Sequence, residues 1–244
     1  MTDNNSNGKY GKKVGKKGVY ISFTSPLYGI PDNIIDSLFY QSSPRTYQKN
    51  EYIFIEGSKP AGVFFIETGK VKLIKEHDGK RKKIVRLHKD GDIMGYRSMI
   101  SDEPYSATAQ AFEPTVIYLI PYGTFEHAMR NCYQLCHNVM KLLAMDLKRA
   151  EENLYYAVNK GAVAKVASAL LLLQEVYGDP ITGKIDIPLR REDIAELAGL
   201  SVETTIRSLS FLRKNGIVGF DNKIITLLNK EALKNIVQTD KKLV

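Results

Sequence analysis

Along residues 47–121 short apolar runs are cut by turn residues at near-regular intervals: "YIFIEGS", "VFFIETG", "VKLIKEHDG", "IVRLHKDGD" and, after Glu113-Pro114, "TVIYLIP". Aromatic and β-branched side chains dominate the runs, and Gly57, Gly69, Gly79 and Gly91 punctuate them. Such side chains fit a pleated, half-buried surface, and many short strands at this spacing predict an antiparallel barrel or roll. Beyond Pro121 the period lengthens. Cys136, Met140, Leu143, Leu147, Ala150, Leu154 and Ala157 recur in steps of four and three within a helical pattern over residues 122–158. A stripe of that period is the seam of a two-stranded coiled coil, so it predicts a C2 homodimer formed through this helix. A parallel stripe, Leu135, Val139 and Leu142, is left to pack on the chain's own roll.

"VNKG" at residues 158–161 offers a break where the helix can hinge, and an amphipathic helix, "AVAKVASALLLLQEVYG", follows, ended by Gly178 and Pro180. The next stretch, "RREDIAELAGLSVETTIRSLSFLRKNGIV", divides into a helix over 191–198, a turn at Gly199-Leu200-Ser201 and a second helix over 202–215. Small Ala195 allows close helix approach, Gly199 permits a left-handed turn, and Ser201 is a good N-cap. These features predict a helix-turn-helix. Alternation in "GIVGFDNKIITL" about Asp221-Asn222 adds a hairpin, which makes it a winged form.

In such a motif the second helix enters the major groove with its N-terminal residues at the base edges. Glu203 can accept from a cytosine amino group and Arg207 can donate two bonds to a guanine; four residues apart, they share one helix face. The pair is placed to read a G·C base pair. Ser201, Val202, Thr204 and Ile206 complete the predicted DNA-reading set.

Charge supports a polyanionic partner. The chain has 244 residues and a net charge of +8, and the surplus lies at its ends: +4 over residues 1–20 (five Lys against Asp3) and +3 over residues 159–244 (13 basic, 10 acidic). Neutralising phosphates releases counterions, which rewards such a distribution. The Lys/Gly-rich start, "GKYGKKVGKKG", is expected to be a disordered basic tail over residues 1–20. No apolar run reaches the roughly 18 residues needed to span a bilayer, so no membrane association is expected and the location is read as cytoplasmic. The two cysteines, Cys132 and Cys136, form neither a disulfide framework nor a four-ligand metal site. His127 and His137 lie near them, but Cys136 fits the helix seam. The chain lacks a nucleophile–base pattern, a phosphate-binding Gly loop ahead of a helix and metal-ligand spacing, so no enzyme is predicted.

Roll, long helix, hinge and winged helix-turn-helix, in that order over residues 25–236, resemble the Crp/Fnr family of bacterial transcription regulators. The resemblance is strongest in "LAGLSVETTIRSL", which follows the family's Ser-x-Glu-Thr-x-x-Arg recognition pattern. It implies an α+β fold: an N-terminal antiparallel β-roll of the cyclic-nucleotide-binding jelly-roll kind (21–122), a dimerisation helix (123–158) and a C-terminal winged helix-turn-helix domain (159–244). The partners it implies are a near-palindromic double-stranded DNA operator, a second copy of the chain and RNA polymerase. Where the cyclic AMP receptor branch has an Arg before the Glu this chain has Val202, and where the Fnr branch has a Ser it has Ile206.

The effector segment departs further. Cyclic AMP binders of the family hold the ribose with a Gly-Glu pair and the cyclic phosphate with an Arg-Ser pair; the matching positions here are Gly95-Tyr96 and Tyr105-Ser106. A buried phosphate without its cation costs several kcal/mol, about the penalty of any uncompensated buried charge, so cyclic AMP is not expected to bind in the family manner. Arg97 and Ser98 are candidates for holding a different anion, with Tyr96 and Tyr105 as pocket walls. The Fnr type of oxygen sensing needs an N-terminal cysteine cluster, and no cysteine precedes Cys132, so no iron–sulfur centre is expected. A reading from another class keeps the roll as a small-molecule-binding module and gives the helix-turn-helix protein contacts instead of DNA. That reading predicts little salt dependence of partner binding, whereas DNA binding weakens steeply with salt.

Overall fold

The computed structural model describes residues 11–78 and 81–239, without the side chains of residues 77, 81 and 153–159. The chain divides into two compact units after Leu147, with residues 76–85 assigned to the second.

The first unit opens with a hairpin, β1 (Gly11–Val14) and β2 (Val19–Ser22), followed by α1 (Asp32–Phe39). This corrects the expectation of a disordered tail over residues 1–20; residues 1–10 lie outside the described residues. The hairpin forms because Val14, Val19 and Ile21 are buried on one side while Gly15 and Gly18 take positive φ at the turn. Lys17 is a clasp, not a free charge. Its Nζ donates to the Phe39 carbonyl, left open at the end of α1, and to the Ser42 carbonyl beyond it, both at 2.7 Å.

The roll continues with β3 (Pro44–Tyr47), β4 (Tyr52–Phe54), β5 (Gly62–Thr68), β6 (Lys70–His77), β7 (Arg81–Lys89), β8 (Ile93–Met94), α2 (Tyr96–Ser101), β9 (Thr108–Ala111) and β10 (Thr115–Pro121). Two four-stranded sheets result, ordered β3-β10-β5-β8 and β4-β9-β6-β7. The continuous apolar run in β5 has a direct cause: both of its faces are covered. Val63 and Phe65 belong to a core with Leu38, Phe39 and Phe125. Phe64 and Ile66 point the other way, into a core with Val71, Ala109 and Ala111.

The helical stretch after the roll is two helices where one was expected. α3 (Tyr122–Asn131) ends at Cys132, whose backbone is extended at φ −134° and ψ 97°; Asn131 Nδ2 donates to the His127 carbonyl at 2.8 Å, occupying an open acceptor at that helix end. α4 (Tyr133–Asn159) then begins. Leu135 and Val139 are fully buried in the first core and Leu142 packs against it, so the second stripe covers the roll as predicted. Because that packing reaches the middle of α4, the units divide after Leu147 and not at the expected 158/159 boundary.

Continuing from Lys148, the second unit contains the end of α4, α5 (Ala162–Tyr177), β11 (Lys184–Ile185), α6 (Arg191–Ala198), α7 (Val202–Lys214), β12 (Val218–Asp221), β13 (Ile224–Leu227) and α8 (Lys230–Thr239). A helical break falls at residues 160–161, within the predicted hinge. The sheet order β11-β13-β12 pairs Asp221 with Ile224 across the predicted turn.

Candidate functional site

The helix-turn-helix is built by local chemistry. Gly199 ends α6 in the left-handed conformation at φ 67°, and its N–H donates to the Ala195 carbonyl. Ala195 itself is buried. Ser201 caps α7: its Oγ accepts from the Thr204 N–H at 3.2 Å and donates to Thr204 Oγ1 at 2.8 Å. Behind the cap, the Asp193 carboxylate accepts from the Arg190 N–H at 3.0 Å and from the Arg190 guanidinium at 3.2 Å, fixing the start of α6.

α7 divides cleanly into two faces. Thr205, Ser208, Leu209 and Leu212 are buried, whereas Ser201, Val202, Glu203, Ile206 and Arg207 are exposed, with Thr204 half-buried between them. Arg207 Nη2 donates to Glu203 Oε1, and the two side chains are 76% and 75% exposed. An exposed ion pair contributes at most about 1 kcal/mol to a fold, so both groups can change partners at small cost. Val202 and Ile206 form an apolar strip beside the pair, 38% and 45% exposed. The open N–H groups and positive dipole end of α7 lie at the same end of this surface.

Sequence reasoning missed a second basic feature. The guanidinium carbon of Arg191, at the start of α6, lies 4.5 Å from the centroid of Phe220 on β12, and that of Arg213, in the last turn of α7, lies 6.0 Å from it. Burial and then the charge of Arg213 lower the Arg191 pKa. Residues 191 and 220 are too far apart in the chain for any periodicity to have paired them.

Comparison with known proteins agrees with this geometry. The family described as "Cyclic nucleotide-binding domain" matches residues 44–132, and that described as "Crp-like helix-turn-helix domain" matches residues 164–236. The chain belongs to the Crp/Fnr family of DNA-binding transcription regulators. It is 29% identical to the cyclic AMP receptor protein of Thermus thermophilus over 80% of this chain and 88% of that protein. To the regulatory protein HlyX of Actinobacillus pleuropneumoniae it is 25% identical over 83% and 82%. The structure of FixK2 from Bradyrhizobium japonicum superposes with a TM-score of 0.72 at 28% identity, covering 80% of this chain and 96% of that one. Crp/Fnr regulators bind DNA and function as dimers. Among the described residues no helix is long and apolar enough to cross a membrane.

In this Crp/Fnr regulator the predicted effector residues have different surroundings. Tyr96 is buried, and its hydroxyl donates to Asp146 Oδ2 on α4. Tyr105 belongs to the other core: its ring stacks on Phe54 with centroids 4.0 Å apart, and its hydroxyl accepts from the Ala61 N–H at 3.1 Å. Ser98 is buried and its Oγ donates to the Pro104 carbonyl at 3.2 Å. Arg97 and Ser106 are exposed. Gly95 sits at φ 81°, where an added Cβ would meet the Gly62 carbonyl at 3.0 Å and the Tyr105 ring at 3.3 Å. The expectation of Tyr96 and Tyr105 as walls of one pocket is corrected to this extent: Tyr96, the first residue of α2, packs in the core with Phe39, Phe65 and Phe125, whereas Tyr105, in the loop before β9, packs in the other core. A cavity of about 380 Å³ does exist in this unit, lined by Met99, Ile100, Met129 and Cys136 among others, but none of the six predicted residues lines it.

Of the predicted dimer face, Met140 and Leu147 are large apolar side chains 50% and 62% exposed, Ala150 is exposed, and Cys136 and Leu143 are half-buried. The side chains of Leu154 and Ala157 lie outside the described residues. Cys132 is a buried core residue and both cysteines are free.

Proposed function

We propose that this regulator acts as a homodimer on a near-palindromic operator, pairing the Cys136, Met140, Leu143, Leu147, Ala150 and Leu154 stripe with its copy on a second chain. Two copies of α7 then enter successive major grooves about one helical turn apart, roughly 34–36 Å. In each half-site Arg207 releases Glu203 and donates to O6 and N7 of a guanine, while Glu203 accepts from N4 of the paired cytosine. Val202 and Ile206 fit thymine methyl groups on neighbouring pairs, which distinguishes this operator from one read by an Arg or a Ser at those positions. Arg191 and Arg213 supply phosphate contacts, and RNA polymerase is the protein partner at the promoter.

Cyclic AMP is not its signal. Tyr105 and Ser106 stand where the phosphate-holding pair of cyclic AMP binders falls, and the Tyr105 ring fills the interior of the roll against Phe54.

The observation that carries this reading is the exposed Glu203–Arg207 pair at the capped end of a helix whose opposite face is wholly buried. Selection of bound sequences from a random DNA pool with the purified protein tests it. A two-fold consensus with a shared G·C pair in each half is expected. Loss of all enrichment, with binding to a protein partner that is insensitive to salt, would replace DNA by protein contacts.

A further inference from the structure

Three elements of the first unit converge on one carboxylate. Asp146 projects from α4; its Oδ2 accepts from Arg86 Nη1 on β7 and from the Tyr96 hydroxyl at the start of α2. Arg86 Nη1 also lies 3.5 Å from the Tyr96 oxygen. The Asp146 side chain is 7% exposed and that of Arg86 20%, so the group is a buried anion held by a cation and a phenol. Burial, then the Asp146 hydrogen bond and charge, raise the Tyr96 pKa and keep its proton in place.

The position of Asp146 gives the cluster a consequence beyond packing. It continues the roll-facing stripe of α4 after Leu135, Val139 and Leu142, and the first unit ends one residue later. On a helix each residue turns the side chain by about 100°. Holding Asp146 inward therefore sets the rotation of α4 and turns Leu147 outward, where it is exposed with Met140 on the stripe assigned to the second copy.

From this geometry we infer that the chain carries its own effector: the Asp146 carboxylate, held by Arg86 and Tyr96, does the work of a diffusible anion, and fixes α4 in its dimer-presenting rotation without any ligand. The inference rests on the dimeric, operator-binding reading above. It accounts for Arg86 and Tyr96 being turned onto α4, while the Tyr105, Phe54 and Phe64 rings pack against one another in the other core. The sensing domain is then a constitutive scaffold.

The test uses the full chain and the operator recovered by selection. Wild-type protein is unfolded in guanidinium, dialysed free of small molecules and refolded. Its operator affinity is expected to equal that of natively purified protein. Recovery of binding only after addition of a small-molecule fraction from cells would overturn the inference while leaving the regulator intact. In parallel, Arg86→Met, Tyr96→Phe and Asp146→Leu are combined, since an apolar replacement of the whole cluster can fold where a single truncation strands a charge. This variant is expected to keep its thermal transition yet lose at least tenfold in operator affinity and dissociate more readily to monomer in sedimentation. Wild-type affinity and dimerisation in the folded triple variant would reduce the cluster to packing and overturn the proposal. Failure of the natively purified wild type to bind any DNA would overturn the operator reading, and this inference with it.

Discussion

Two arginine–carboxylate pairs in this molecule share the same chemistry and have opposite surroundings. Arg207 and Glu203 stand on the outer face of α7, about three-quarters exposed. Arg86 and Asp146 join a strand to a helix, with the carboxylate almost closed off from water. Water decides what each pair can do. The exposed pair contributes little to the fold, so its members can take other partners at small cost, as the proposed reading of a guanine and a cytosine requires. The buried pair cannot be exchanged, because either member alone would be an uncompensated charge in a poorly solvated site.

Truncating one member of each carboxyl–guanidinium pair separates the two by stability. Asp146→Ala is expected to cost about 3–5 kcal/mol in denaturant unfolding of the first unit, the range for breaking a buried pair. Equal stability would mean that Arg86 finds water or another partner. Arg207→Ala is expected to leave stability within about 0.5 kcal/mol, but to weaken operator binding by about 1–3 kcal/mol and relax the preference at its guanine. A uniform loss across all sequences would make Arg207 a phosphate contact instead. Ser201→Ala removes the cap of α7 and should cost about 1 kcal/mol, measured by thermal unfolding of the second unit.

The smallest effect is a titration. Burial, followed by Asp146, raises the Tyr96 pKa, and burial raises those of Tyr47 and Tyr105. A group whose folded pKa is raised contributes stability that is complete below its unfolded value, here about 10, and is lost as pH rises beyond it. Denaturant midpoints are thus expected to decline above about pH 10, and less so in Tyr96→Phe than in the wild type. An identical decline in the variant would remove Tyr96 from that account.

The contrast also explains which parts were legible from sequence. Everything in "LAGLSVETTIRSL" depends on residues within four positions of one another: the Gly199 turn, the Ser201 cap and the Glu203–Arg207 face follow from helix period and capping alone. The roll-facing stripe of α4 and the wing turn at Asp221-Asn222 were readable for the same reason. Tyr96 and Asp146 are 50 residues apart, and no local pattern says that a tyrosine after Gly95 will face a helix instead of a ligand. The N-terminal hairpin was hidden by its lysines: composition marks "GKKVGKKG" as solvated, yet Lys17 finds its carbonyls 22 and 25 residues away. The break between α3 and α4 at Cys132 was likewise invisible, since an apolar residue at that position suits a continuous helix equally well.

Competition between operators measures whether α7 reads a G·C pair through Glu203 and Arg207. Purified protein is titrated with the selected two-fold site and with the same site carrying A·T in place of the shared G·C pair, at several salt concentrations. Steep weakening of both with salt is expected, with a constant preference of about ten- to a hundredfold for G·C that disappears in Arg207→Ala. Equal affinity of the wild type for both sites, or a preference that survives Arg207→Ala, would contradict it.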